Sequence, residues 1–446
     1  MITYTNRNIW HVAFPILLSL LMEHLIGLTD TAFLGRLGGH NGEIALGASS
    51  LGGVYYIAVF MLGFGFSVGA QILMARRNGE ERYREIGPVF QQSALFLLFL
   101  ATVVFAFSKF FAPQILDRLI SSTEIYQATL EYLNWRIYGF FFIFLAVIFR
   151  AYYVAITRTK ILTINSIVMV LSNVVLNYGL IFGRFGLPTM GIAGAAVASA
   201  VAELVSLLFF IVYTSKKIDW RKYGLFRRTR LNIKELGHIL RLSSWTMVQQ
   251  FVAVGTWFLF FVAVEHLGEQ PLAVTTIVRS VSSLLFIIAS SFATTSSSLV
   301  SNMMGAEQSR DVMSTVWRII RMCYMLIVPL LAVILLFPRQ VLRIYTDNPA
   351  LIAASVPALL VMASAYLIQT SAFIWFNTVS GTGNTRAAFT LEMTAIATYA
   401  LYVYFVVIHL RADVAWCWTT EHLYGVVVFA LAYLYMRKAD WQSKKI

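Results

Sequence analysis

The chain is poor in charge. Of its 446 residues only 12% are Asp, Glu, Lys or Arg, about half the share of an ordinary soluble domain. Hydrophobic residues make up 59% and the mean hydropathy is +0.73. These values exclude a soluble globular chain, and the length of the apolar runs favours membrane helices over barrel strands. Cysteine is nearly absent. Cys323 and Cys417 both lie inside apolar segments, where they read as small core residues rather than redox or zinc ligands. The seven histidines, at 11, 24, 40, 238, 266, 409 and 422, are scattered, which argues against an intramembrane enzyme. No Walker-type phosphate loop is visible, so energy for uphill work is expected from an ion gradient, and no cofactor is implied. The first apolar run is too long for a cleavable signal peptide and lacks a small-residue cleavage site.

What is present is basic charge in a pattern. The net charge of +13 is placed in alternate loops, which reads as membrane orientation rather than nucleic-acid binding. Arg76, Arg77, Arg82 and Arg84 fill one loop, and Arg158 and Lys160 another. Lys216, Lys217, Arg221, Lys222, Arg227, Arg228, Arg230 and Lys234 fill the central loop, and Arg437, Lys438, Lys444 and Lys445 the C-terminus. Both termini are therefore expected on the cytoplasmic side. The central loop serves either as a solvated linker or as a lipid-binding patch, and the orientation rule favours the linker.

Apolar runs of at least about 18 residues number twelve, near 10–34, 45–74, 88–112, 126–153, 161–183, 191–214, 239–266, 272–303, 314–338, 350–380, 386–410 and 414–436. Pro15 inside the first is an expected kink, since it cannot donate and its ring clashes with the preceding turn. An internal repeat organises the set. Leu37-Gly38 matches Leu267-Gly268, Ala75–Gly79 matches Ser301–Gly305, and Ile156–Lys160 matches Thr382–Arg386. The expected fold class is an all-α membrane protein: twelve transmembrane helices in two six-helix lobes, parallel repeats related by a pseudo-twofold axis along the membrane normal. The boundaries are an N-lobe at 1–214, a basic cytoplasmic linker at 215–238 and a C-lobe at 239–446.

Against this apolar background a few polar residues stand out. Asp30 lies well inside the first run, and a charge at membrane depth marks an ion or proton pathway by default. Glu23, seven residues earlier, shares its helix face. Asn173 and Asn177, four apart on the fifth span, share another. Ser199 on the sixth span follows the small-residue run Gly191–Ala198, which lets a neighbouring helix approach closely; Glu203 lies one turn beyond. A carboxylate with amide and hydroxyl oxygens suits a hard cation such as Na⁺. The same set suits a proton alone, because desolvation and rehydration change how tightly a carboxyl holds it. Equally, the amides serve as interhelical glue. The second half does not repeat the set: Phe260 falls opposite Asp30, and Tyr399 and Val403 opposite Asn173 and Asn177. Its notable polar residues are Gln249, Gln250, Asn377 and Glu392.

Pro15 with Asp30 fifteen residues later, the run Asp30-Thr31-Ala32-Phe33-Leu34-Gly35-Arg36, the Asn173/Asn177 pair and Ser380-Gly381-Thr382-Gly383-Asn384-Thr385-Arg386 together resemble the multidrug and toxic compound extrusion (MATE) transporters, DinF-like branch, over essentially the whole chain. The resemblance implies two facing lobes in the cell membrane that export cationic or amphipathic organic compounds in exchange for inward Na⁺ or H⁺. Under it Asp30 matches the first-helix acid of the N-lobe cation site and Asn173 its fifth-helix Asn. Ser199 falls where Thr is usual, Asn177 where many members have Asp, and Glu23 where Gln is common. Acids on the seventh and tenth helices mark C-lobe coupling, and none lies at comparable depth here. The expected coupling set is therefore Asp30, Asn173, Asn177 and Ser199, for a proton in preference to Na⁺. Glu23, Gln249 and Asn377 are substrate or coupling candidates. Small-molecule organic cations and the bilayer are the expected partners, nucleic acid is not, and a monomer is expected. The rival reading is a lipid-linked precursor flippase, which would need a cationic cavity; Arg136, Arg150, Arg279, Arg318 and Arg321 are the residues that could furnish one.

Overall fold

A computed structural model describes residues 4–37, 39–120, 122–225 and 232–443. Gly38 of the first repeat match, Arg227, Arg228 and Arg230 of the central loop, and Lys444 and Lys445 lie outside the described residues. Among the described residues every regular element is a helix. Lipid leaves this as the natural outcome, because each backbone N–H and C=O must find a partner within its own segment.

The elements in order are α1 (Asn6–Gly35), α2 (Gly39–Gly79), α3 (Ile86–Leu119), α4 (Thr123–Arg136), α5 (Gly139–Ala155), α6 (Lys160–Phe182), α7 (Gly191–Lys217) and the short α8 (Trp220–Tyr223). There follow α9 (Ile233–Glu265), α10 (Glu269–Gly305), α11 (Val312–Leu336), the short α12 (Pro338–Arg343), α13 (Pro349–Gly381), α14 (Thr385–Val403), α15 (Val414–Cys417) and α16 (Thr420–Lys438). Among the described residues eleven helical spans are long and apolar enough to cross a membrane, and the pair α4 and α5, bent by 52°, makes a twelfth if it counts as one span. The run expected over 126–153 is thus two helices with a break at Ile137 and Tyr138. α1 runs through Pro15 and ends at Gly35, one residue past the expected run of 10–34, so Asp30 lies about 7.5 Å of helix rise from the end.

Helix ends follow local chemistry. The Ser122 hydroxyl caps α4 by accepting from the Ile125 N–H, and Asn348, followed by Pro349, caps α13 by accepting from Ala350 and Leu351. Each satisfies donors that the first turn leaves open. α6 stops at Gly183, whose φ of 67° is left-handed, and a Cβ there would strike the Thr189 side chain. Only glycine suits that position.

The chain divides into two compact units. The N-terminal unit contains residues 18–78 and 82–247; the C-terminal unit contains residues up to 17, 79–81 and those from 248 onward. In the N-terminal unit α7 packs against α4, α5 and α6. Its small residues make this possible: Ala193, Gly194, Ala195, Ala196 and Ala198 are all buried, and a Cβ on Gly194 would lie 2.7 Å from the Leu180 carbonyl of α6. In the C-terminal unit α13 is the central helix, touching α10, α11, α14 and α16. Its buried Trp375 meets Trp317 and Tyr433 edge-on, at 5.5 and 5.3 Å between ring centroids.

This close approach predicts opposite signs for one substitution at two glycines. Gly194→Ala crowds backbone and is expected to cost about 1–3 kcal/mol, the usual range for overpacking. Gly237→Ala, with open space around its Cβ position, is expected to gain a few tenths, because Ala suits a helix better than Gly. Unfolding in detergent measures both, and equal effects would rule out the α6–α7 contact as described.

Candidate coupling site

Three helices of the N-terminal unit converge on Asp30. From α6, Asn177 Nδ2 donates to Asp30 Oδ1 at 2.5 Å and to Asn173 Oδ1 at 3.0 Å. Asn173 Nδ2 donates to Ser199 Oγ on α7 at 3.1 Å, and the Ser199 hydroxyl donates to Asp30 Oδ2 at 2.9 Å. Each bond runs from a donor to an acceptor without conflict, and the ring closes on the carboxylate. Asn173 and Asn177 are 0% exposed and Ser199 4%, while Asp30 itself is half-buried. Thr29, next to Asp30, also donates to Asn173 Oδ1 at 3.3 Å. The four residues of the expected coupling set therefore form one cluster, in which the amides join α1 to α6 and α7 and at the same time surround the acid. One polar atom is left over: Asn177 Oδ1 is buried and has no hydrogen-bond partner.

Glu23 faces the same helix as Asp30, as its seven-residue spacing requires, but belongs to a different group. Its Oε1 accepts from Ser19 at 3.0 Å and Ser166 of α6 at 3.4 Å, and pairs with Arg150 of α5 at 2.5 Å. Its charge is already matched, so it is not a spare acid for the Asp30 cluster.

A third group went unrecognised in the sequence. At the bend between α4 and α5, Arg136 makes a two-pronged ion pair with Glu203 of α7, at 2.9 and 2.6 Å. Tyr56 of α2 donates to Glu203 Oε2 at 2.9 Å, and its ring lies 3.6 Å beneath the guanidinium. Such parallel N–H···O pairs are the strongest arrangement for this couple. A Cβ on Gly139 would collide with both charged groups, so the bend needs a glycine there for α5 to start beside the pair. Arg136 and Glu203 are 67 residues apart in sequence, and no periodicity links them.

The remaining candidates lie in the C-terminal unit. Gln249 is buried on α9 with its Oε1 unpartnered. Asn377 on α13 donates to the Phe373 carbonyl of its own helix at 3.0 Å. Among the described residues no group of three or more His, Cys, Asp or Glu could hold a metal ion.

A multi-span helical membrane protein with a carboxylate held in an amide and hydroxyl ring is the class that fold and site define. The sequence pattern of the MatE family matches residues 15–179 and again 246–410. The chain belongs to the MatE family of MATE transporters. It is 25% identical over 303 residues to "Probable multidrug resistance protein NorM" of Idiomarina loihiensis, covering 67% of this chain and 64% of that one. A protein of the same description from Thermotoga maritima is 24% identical over 450 residues, covering 99% and 94%. The chain spans less than two thirds of the length of the first relatives, at 64%, 60% and 58%. Among solved structures, an outward-facing multidrug resistance MATE family transporter of the MOP superfamily superposes with a TM-score of 0.86 at 18% identity, over 99% of this chain and 97% of that one. A MOP superfamily transporter from Pyrococcus furiosus, described as having reversed polarity in its binding pocket, gives 0.87, also at 18% identity and over 99% and 97% of the two chains. Both likenesses speak to the fold.

Breaking the Arg136–Glu203 pair on one side is expected to destabilise strongly. Arg136→Gln leaves a buried carboxylate without its cation, a loss of about 3–5 kcal/mol. Arg136→Gln combined with Glu203→Gln removes both charges and is expected to recover at least half of it. Unfolding measured on the two variants decides the point; equal losses would mean that shape, not charge, holds the bend.

Proposed function

We propose that the protein is a secondary antiporter of the cytoplasmic membrane, exporting cationic or amphipathic organic compounds in exchange for inward protons, with Asp30 as the coupling group. The observation that carries this reading is the closed ring of donors around a single intramembrane carboxylate. Ionised, Asp30 accepts from Asn177 and Ser199. Protonated, it becomes a donor on one oxygen and needs an acceptor. The unpartnered Asn177 Oδ1 is one, reached by rotating the amide; the Ser199 oxygen is another, reached by turning its hydroxyl. One proton thus rewires a ring that spans α1, α6 and α7, and a ligand that favours one of two packings shifts the balance between them. A carboxyl shut away from water holds its proton more tightly than one facing water, so opening and closing the site to either side would load and release it.

Na⁺ fits this donor set less well. The cation takes oxygen ligands, yet both Asp30 oxygens face an N–H or an O–H. The set also carries only one formal charge, since Glu23 is matched by Arg150. The exported class follows from the multidrug resistance relatives and from the cationic side chains that are already engaged. Arg136 and Arg150 are paired with acids, Arg318 donates to the Tyr4 carbonyl at 2.6 Å, and Arg279 lies over the Trp257 and Phe261 rings at 4.9 and 5.0 Å. Arg136, Arg150 and Arg318, three of the five arginines that could furnish a cationic cavity for lipid phosphates, are thus already taken up, which weakens the flippase reading. The assignment to two lobes, the DinF-like branch and the cytoplasmic location of both termini belong to the same proposal.

Asp30→Asn is expected to abolish gradient-driven export in proteoliposomes while the protein remains folded, because the shape is kept and the titratable charge is lost. Native export is expected under a proton gradient without Na⁺, and Asn177→Asp is expected to introduce Na⁺ dependence by adding a second carboxylate. Normal export by Asp30→Asn, or an absolute Na⁺ requirement in the native protein at fixed pH, would refute the coupling scheme. Orientation is checked separately: single cysteines introduced at Lys222 and at Gln270 should label from opposite sides of the membrane, and labelling of both from outside would reject the topology.

A further inference from the structure

In the C-terminal unit two acids lie at the contact between α14 and α16, each accepting from the other helix's tyrosine. Glu392 and Tyr399 are seven apart on α14, and Glu421 and Tyr424 three apart on α16, so each pair shares a helix face. Tyr424 donates to Glu392 Oε1 at 2.7 Å, and Tyr399 to Glu421 Oε1 at 3.4 Å. The two rings meet edge-on, 6.0 Å between centroids. The carboxylates are not equally served. Glu421 also receives Gln369 Nε2 from α13 at 2.5 Å. Glu392 is 4% exposed, has only the tyrosine, and its Oε2 is buried with no partner at all.

No cation offsets either charge. Among the described residues neither acid takes part in an ion pair, and α13, packed against both helices, contains no Asp, Glu, Lys, Arg or His. The titratable groups around the pair are Tyr399 of α14, Tyr366 of α13 and Glu421, His422 and Tyr424 of α16; His422 is held at Nε2 by Ser364 at 3.0 Å. An isolated carboxylate in such surroundings costs many kcal/mol and takes up a proton instead. The bare Oε2 is where that proton would sit. At 4% exposure the group offers no face to an organic cation, whereas a proton needs none.

We propose that Glu392 is a proton-binding site of the C-terminal unit, with the proton carried on its Oε2. The step is simple: an O–H bond forms on Oε2 with a proton taken from solvent, while Tyr424 continues to donate to Oε1 and Glu421 keeps the Gln369 and Tyr399 donors it already has. When water reaches the site the proton leaves by the same route. The proposal does not depend on the role given to Asp30.

Infrared difference spectroscopy of the purified full-length protein, recorded between acid and alkaline pH, reads this directly. A carboxylic C=O stretch characteristic of a weakly hydrogen-bonded acid is expected in the native protein, lost in Glu392→Gln and retained in Asp30→Asn. Tyr424→Phe, which removes only the bond to Oε1, is expected to shift the band without abolishing it. Both variants conserve shape, and the Tyr424→Phe shift identifies the band even if Glu392→Gln folds poorly. A native spectrum unaltered by both Glu392→Gln and Tyr424→Phe would overturn the proposal. So would a Glu392 band at the position of a water-exposed acid, or one displaced by Na⁺ rather than by protons.

Discussion

A negative charge held among apolar helices has to be answered, and this protein answers it in three ways. Glu203 and Glu23 each meet an arginine, at 2.6 and 2.5 Å. Asp30 meets no cation in its ring, only the dipoles of Asn177 and Ser199. Glu392 meets a single tyrosine hydroxyl. The order matters because a full counter-charge holds a carboxylate ionised whatever the water does, while dipoles leave the outcome to hydration. The paired acids are therefore fixtures that hold helices together, and under the proposals above Asp30 and Glu392 are the acids whose charge changes during a cycle.

The fixtures explain the geometry of the rest. The Arg136–Glu203 pair ties the end of α4 to α7, and Tyr56 ties both to α2. That fixes the bent pair against the helix that carries Ser199. The Arg150–Glu23 pair ties α5 to α1 about two turns of helix before Asp30. With α7 seated on α6 at backbone distance through Gly194, the four members of the ring have little freedom except to exchange donor and acceptor roles. Under the proposed coupling, such a site would respond to a proton by rewiring rather than by loosening.

Much of this was legible from residue spacing. Acids seven apart inside an apolar run, two amides four apart and a hydroxyl after a small-residue stripe mark Glu23, Asp30, Asn173, Asn177 and Ser199, the resemblance narrows these to Asp30, Asn173, Asn177 and Ser199, and the helices do gather those four. The twelve apolar runs also correspond to the helical spans once the bent pair is counted as one. The bend itself left no mark, because Ile137, Tyr138 and Gly139 continue an apolar run with no proline to interrupt it. The Arg136–Glu203 pair was hidden for another reason: its partners lie on different helices, and periodicity sees only one helix at a time. Glu421 escaped notice because it stands at the start of α16, where an acid ordinarily needs no explanation beyond the helix dipole.

The two halves match one family pattern, yet their chemistry does not repeat. Opposite Asp30 stands Phe260, 1% exposed, with its ring against Trp418 at 5.7 Å and Tyr399 at 6.3 Å. An acid there would be enclosed by aromatic carbon, with nothing of the Asn177–Ser199 kind to receive it. The C-terminal unit carries its acids instead on α14 and α16, where tyrosine hydroxyls reach them. A repeated backbone thus supplies the same helices twice, while the placement of a few polar side chains decides which of them can hold a charge. The two proposed sites differ in donor number and in burial, so under these proposals water entering one need not titrate the other at the same moment.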